Sequence, residues 1–161
     1  MNIVDLIFQR STATDTAVIS PELRLTFGEL EPRMHTCGQR MSADTAWPRK
    51  ARPRIGLDAP SGTDYIVVAL SILKQGACFV PIPGELTATE RTQLAKSTAL
   101  DAIVHARSAE DWRIEPVAHE TPPAFDEDTL TALNPAFIRF SSGTTGTSKG
   151  IVISHETLLG R

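Results

Sequence analysis

The chain has 161 residues, 41% of them hydrophobic, which fits one domain with a real core. A formal charge of −3 without any long basic run argues against a general nucleic-acid binder or membrane-surface binder. The opening stretch carries an acid, Asp5, among its apolar residues, and no long hydrophobic segment follows. Neither a signal peptide nor a membrane span is expected, and the cytoplasm is the default location.

Thr26-x-x-Glu29 has the form of a capping box, and Phe27, Leu30, Met34, Cys37 and Met41 follow at alternating spacings of three and four, as one helix face demands. Pro32 would cost about 3 kcal/mol in a helix interior, which places the expected helix start near Glu31 and Pro32. The one basic cluster, Arg49-Lys50-Ala51-Arg52-Pro53-Arg54, reads as a solvated loop before a short strand, Arg54-Ile55-Gly56-Leu57. Ser61-x-x-Asp64 then opens a helix carrying Tyr65, Val68, Ala69, Ile72 and Leu73 on one side, and Gly76 closes it. Cys78-Phe79-Val80-Pro81-Ile82 is a second apolar strand. Thr87-x-x-Glu90 repeats the capping signal for a helix through Ser97, and Ala102-Ile103-Val104 is a third strand.

Strands alternating with capped amphipathic helices imply right-handed crossovers, so the expected class is α/β, a mostly parallel sheet with helices on both faces. Over residues 106–134 the periodicity dissolves into prolines and acids, which suggests a surface connection with a short strand around Ile114 to Val117. Asp126, Glu127 and Asp128 read there as a solvated turn, since consecutive residues do not all point at one ion, and Trp112 as a packing anchor. Cys37 and Cys78 lie among apolar residues and read as reduced core cysteines. His35, His105, His119 and His155 are too scattered for a metal site.

The most informative segment is Ser141-Ser142-Gly143-Thr144-Thr145-Gly146-Thr147-Ser148-Lys149-Gly150, which follows the apolar run Phe137-Ile138-Arg139-Phe140 and leads into Ile151-Val152-Ile153. Glycines let successive N–H groups point inward, and the hydroxyls of Ser141, Ser142, Thr144, Thr145 and Thr147 add short donors. Lys149 adds a mobile point charge. Each hydrogen bond to a charged group is worth roughly 1.5–3 kcal/mol, so a few suffice to position a triphosphate tail. The competing reading is a Ser/Thr/Gly linker, against which stand the flanking strands. The spacing does not fit a Walker loop, because Lys149 is followed by Gly150, and no Gly-x-Gly-x-x-Gly follows a first strand.

Phe140 to Gly150 resembles the signature loop of the adenylate-forming enzymes, the family of acyl-CoA synthetases, peptide-synthetase adenylation domains and luciferase. Two further motifs agree in order: Leu25-Thr26-Phe27-Gly28-Glu29-Leu30, and Leu73-Lys74-Gln75-Gly76-Ala77-Cys78-Phe79-Val80-Pro81-Ile82. Ser154-His155 matches the Ser-His that commonly follows the loop. Ser148 stands where the family usually has proline, which removes a fixed φ without deleting a phosphate ligand.

The resemblance implies that residues 1–161 form the N-terminal part of the family's large domain, with Ser141 to Thr147 and Lys149 binding nucleotide phosphates and no catalytic or metal residue in this span. It implies ATP and Mg²⁺ as cofactors, a small-molecule carboxylate as substrate, and coenzyme A or a carrier-protein thiol as acceptor. The expected activity is that of an AMP-forming carboxylate ligase, with an acyl-CoA synthetase of fatty-acid metabolism as the leading type. The family's later motifs have no counterpart before Arg161, so the chain alone is expected to be inactive and to self-associate through exposed apolar surface. Two alternatives stay open: an amino-acid adenylation domain, and a non-catalytic phosphate-binding or scaffold module. His155 has two readings, a residue lining the acyl or nucleotide site and a helix-start residue that packs or faces solvent.

Overall fold

The computed structural model describes residues 2–21, 23–118, 126–141 and 149–160, with the backbone alone for Ser141 and Lys149. The chain opens with α1 (Ile3–Arg10), whose first turn is capped by the Asn2 side chain accepting from the Val4 N–H at 2.9 Å. A two-stranded antiparallel hairpin follows, β1 (Thr16–Ile19) with β2 (Arg24–Thr26).

Helix α2 (Phe27–Ala43) starts at the Thr26 capping box itself, so Pro32 lies inside the helix and not at its first turn. Pro32 forgoes one ladder bond, to the Gly28 carbonyl, in the helix's second turn. The box and the donation of the Phe27 and Gly28 N–H groups to the carbonyls of Asp15 and Ala13 hold that end against the loss. The buried face comprises Leu30, Met34, Cys37 and Met41, the face read from the spacing.

After β3 (Arg54–Asp58), helix α3 (Thr63–Lys74) begins behind Gly62, whose φ of 152° favours glycine, and no side chain caps it. The expected Ser61 capping box is therefore absent. Its far end matches expectation: Gly76, at φ 76°, donates to the Leu73 carbonyl while Ala77 donates to that of Ile72, the paired bonds of a Schellman stop. The remaining elements are β4 (Cys78–Pro81), α4 (Ala88–Thr98), β5 (Ala102–Ala106), β6 (Trp112–Pro116), α5 (Glu127–Ala132), β7 (Pro135–Ser141), β8 (Lys149–Ser154) and α6 (His155–Leu159). Thr87 and Glu90 form the expected capping box of α4.

Six strands make the main sheet in the order β6-β5-β3-β4-β7-β8. The three inner pairings are parallel, and the two edge strands β6 and β8 run antiparallel to their neighbours. Helices cover both faces. On one, Ile55, Leu57, Ala102 and Val104 pack with Cys37 and Met41 of α2 and Val68 and Ile72 of α3. On the other, Cys78, Val80 and Ile138 pack with Leu94 of α4 and with Leu100. Gly56 lets that second face pack closely, because a Cβ there would lie 2.7 Å from the Ile82 side chain and 2.9 Å from that of Leu100, and both would have to shift. Burial of a large aliphatic side chain is worth about 1.5–3 kcal/mol, so these two layers dominate the stability.

Arg54 does not belong to a solvated loop. It is 2% exposed, donates from Nε to the Ala99 carbonyl at 2.7 Å, and grips both carboxylate oxygens of Glu127 at 2.8 and 2.6 Å. Nor is the acidic run at residues 126–128 a plain turn. Asp126 caps α5 through the Asp128 N–H, and Glu127 reaches the sheet. Cys37 and Cys78 are both buried free thiols, and Trp112 packs against the first core layer with the Arg40 guanidinium 5.2 Å from its ring centre.

Candidate functional site

The apolar run at residues 137–140 forms the body of β7, and the run at residues 151–153 that of β8. Their register pairs Ser141 with Lys149 and Phe140 with Gly150, so the two strands form a β-hairpin that brackets the Ser/Thr/Gly-rich motif. Ser142, Gly143, Thr144, Thr145, Gly146, Thr147 and Ser148 lie outside the described residues. The two backbone positions that bracket them, Ser141 and Lys149, face each other at the open end of the ladder.

Strand β7 runs parallel to β4, with Phe137 beside Phe79, and β4 runs parallel to β3. The hairpin's open end therefore lies at the carboxyl end of the parallel strands, where open α/β sheets form their ligand crevice. A cavity of about 360 Å³ adjoins it, lined by Pro81, Pro83, Leu86, Glu90, Arg139 and Phe140 among others. Arg139 is exposed and brings a cation to that cavity; the sequence offered no separate signal for it, since alternation along a strand says only that it points away from Ile138.

His155 falls at the other end of β8, about 20 Å along the strand from Lys149 at roughly 3.3 Å per residue. It is 2% exposed, and its Nδ1 accepts from the Ile3 N–H at 3.1 Å while its own N–H donates to the Asn134 carbonyl at 3.0 Å. Burial pushes its pKa below the usual imidazole value. Of its two readings the packed helix-start residue is the one observed: His155 ties α6 to α1. Ser154 caps α6 by accepting from the Thr157 N–H.

Among the described residues no group of three His, Cys, Asp or Glu side chains is placed to hold a metal ion, and no helix is long and apolar enough to cross a membrane.

A profile of AMP-binding enzymes matches residues 8–161. The chain belongs to the AMP-binding enzyme family. Among relatives of this family, one of the linear gramicidin synthase proteins of Brevibacillus parabrevis is 30% identical over 159 residues, covering 89% of this chain and 2% of that protein. The polyketide synthase-nonribosomal peptide synthetase phmA of Phaeosphaeria nodorum is 27% identical over 153 residues, covering 88% of this chain and 4% of that one. The fold of apo MatB from Rhodopseudomonas palustris superposes with a TM-score of 0.74 at 16% identity, covering 99% of this chain and 36% of that chain. The N-terminal subdomain of NpsA from Klebsiella oxytoca gives a TM-score of 0.70 at 16% identity, covering 95% and 41%. This chain thus spans less than half of each of these relatives, and its α/β fold is that of the N-terminal domains of adenylate-forming enzymes.

Proposed function

We propose that residues 1–161 are the N-terminal part of the large domain of an ATP-dependent, AMP-forming carboxylate ligase, and that residues 141–147 with Lys149 hold the outer phosphates of ATP. The observation that carries this reading is the hairpin register, which sets Ser141 opposite Lys149 at the carboxyl end of the parallel strands in a chain of the AMP-binding family. In the proposed reaction a carboxylate oxygen attacks the α-phosphorus of ATP. The bond to the bridging oxygen breaks, its electron pair leaves with pyrophosphate, and an acyl-AMP anhydride remains. Charge builds on the departing pyrophosphate, so donors fixed around the β- and γ-phosphates lower the barrier. That is the role proposed for the loop hydroxyls, the loop N–H groups and Lys149. Mg²⁺ fits the chemistry of a polyphosphate, but the described residues supply no cluster of acids to hold it.

The relatives named above favour one refinement. Peptide synthetases match at 27% and 30% identity, which supports an amino-acid or related carboxylate as substrate and a carrier-protein thiol as acceptor, in preference to coenzyme A.

The test is carboxylate-dependent exchange of labelled pyrophosphate into ATP by the intact protein, screened over amino, aryl and fatty acids. Lys149→Ala is expected to slow the exchange by at least about tenfold, a loss of about 1.4 kcal/mol in transition-state stabilisation. An unchanged rate removes Lys149 from the mechanism.

A further inference from the structure

A row of charged side chains crosses the α4-covered face of the sheet near the carboxyl ends of β3 and β5. His105 on β5 stands beside Asp58 on β3 and beside Arg113 on β6 in the strand registers. Its Nδ1 lies 3.1 Å from Asp58 Oδ2, and its Nε2 lies 3.2 Å from Oε2 of Glu115, the diagonal neighbour on β6. Arg91 of α4 meets the same Asp58 oxygen at 2.7 Å, and Arg113 meets Glu115 Oε2 at 2.9 Å. Arg107 and Asp111, in the β5–β6 turn, face each other at 3.9 Å and complete the charged groups around this spot. All of these residues except Glu115 border a cavity of about 600 Å³.

The ring is thus flanked by carboxylates on both nitrogens. A neutral imidazole has one N–H and one lone pair, so one of its two nitrogens must turn a lone pair toward a carboxylate oxygen little more than 3 Å away. An imidazolium has two donors and matches both. The Nε2 contact is an ion-pair approach without an aligned hydrogen bond, so charge on the ring, not directional bonding, makes it favourable. The two carboxylates differ in what else holds their strands. Strand β3 lies inside the sheet, with β4 and β5 on its two sides. Strand β6 is an edge whose ladder bonds all go to β5. Losing the Glu115 contact therefore falls on a strand that the sheet holds from one side only.

We propose that His105 is a proton-operated clasp that fastens the edge strand β6 to β5 and β3 by bridging Glu115 and Asp58. Asp58 and Glu115 both titrate below the ordinary carboxylate range; burial works against the Asp58 charge but Arg91 outweighs it, and Arg113 leads the effect on Glu115. Both carboxylates therefore stay ionised near neutrality, and the proton on the ring decides whether both contacts are attractive. The clasp is closed when the ring carries two N–H donors and open when it carries one.

The experiment is amide hydrogen exchange on the 161-residue chain, with protection factors for Trp112, Arg113, Ile114 and Glu115 read against those of Ile55 and Leu57 in β3. From about pH 5.5 to about pH 8 the relative protection of β6 should fall about threefold, the size expected for a partly exposed ion pair. His105→Gln, which donates but does not titrate, and Glu115→Gln, on the exposed side of the pair, should each flatten the profile. A flat profile in the unaltered chain overturns the proposal. So does an equal fall in Glu115→Gln, which keeps the test valid even where the His105 variant does not fold.

Discussion

Arg54 and Glu127, 73 residues apart, meet as a two-pronged ion pair that bolts the short helix α5 to the start of the central strand β3. Burial works against the Arg54 charge, but Glu127 and Asp101 outweigh it and hold its pKa above the usual value. Glu127 is in turn held below the usual carboxylate value, chiefly by its hydrogen bonds with Arg54. The guanidinium side chain is 3% exposed and the carboxylate side chain 44%, so solvent screens the pair from one side. Glu127→Ala, which leaves a buried cation less well compensated, should cost about 1–2 kcal/mol in urea unfolding, below the 3–5 typical of a fully buried pair. The Glu127 contribution is present above its unfolded value of 4.5 and is lost as the pH falls through the lower folded value. A variant as stable as the parent at neutral pH would remove the pair from the list of stabilising contacts.

Cys78 is fully buried on the α4 side of the sheet, and burial pushes its thiol from 9.0 to about 12. Since the thiolate is the reactive form, alkylation in the native state should be about a thousandfold slower than for a free cysteine, from the difference of about three pH units. Iodoacetamide labelling followed by mass spectrometry, with and without urea, reads this directly. Labelling of Cys78 at the denatured rate without urea would contradict the packing described for β4.

His155 accepts a hydrogen bond from a backbone N–H, which can only donate, so its Nδ1 must be unprotonated in the folded chain. Its folded pKa lies below the ordinary 6.5, mainly through burial. The unfolded chain then binds the proton more readily, so stability is intact above about pH 6.5 and declines as the pH falls toward the folded value. His155→Gln keeps an acceptor without titrating, and its urea midpoint should lose this acid-side decline. The direction is opposite to that of the His105 clasp, so acid loosens the α1–α6 junction while tightening β6.

The two sheet edges are unlike. Strand β6 alternates Arg113 and Glu115 and ends in Pro116, features that discourage pairing with another chain. Strand β8 pairs with β7 and exposes Ile151 by 51% and Val152 by 37%. We propose that the 161-residue chain self-associates through β8. Ile151→Lys should raise the dissociation constant about tenfold or more, since burial of one isoleucine is worth about 1.5–3 kcal/mol. Sedimentation equilibrium of both forms checks this, and identical profiles would exclude β8 as the contact.

Much of the framework was legible because its signals are local. The capping boxes at Thr26 and Thr87, the stop at Gly76 and the apolar strands each depend on residues within a few positions of one another. Local signals were also present for two elements that went unread. Asn2 followed by Asp5 is a helix-start pattern for α1, and Asp126 followed by two acids is one for α5. The hairpin of β1 and β2 is shorter than the periodicity that reveals a strand. What no local reading supplies is partnership across the fold. Arg54 sits in a basic run, and only the arrival of Glu127 makes it a buried residue. His105, Asp58 and Glu115 come from three strands, and their alignment depends on register. The motif at residues 141–150 was singled out from residue types alone, while the position of the flanking Ser141 and Lys149 at the carboxyl ends of the strands needed the β4–β7 pairing.

That pairing also sets an order of assembly. Strand β7 lies directly beside β4, yet α4, β5, β6 and α5 all intervene along the chain. Contacts of longer sequence separation carry a somewhat larger closure entropy and tend to form later unless earlier structure brings their ends together. The β3–β4–β5 layer, joined through α3 and α4, needs only shorter closures and supplies the template onto which β7 docks. The hairpin of β7 and β8, whose connection is proposed to hold ATP, would then be the last part of this layer to dock, after the scaffold on which it rests.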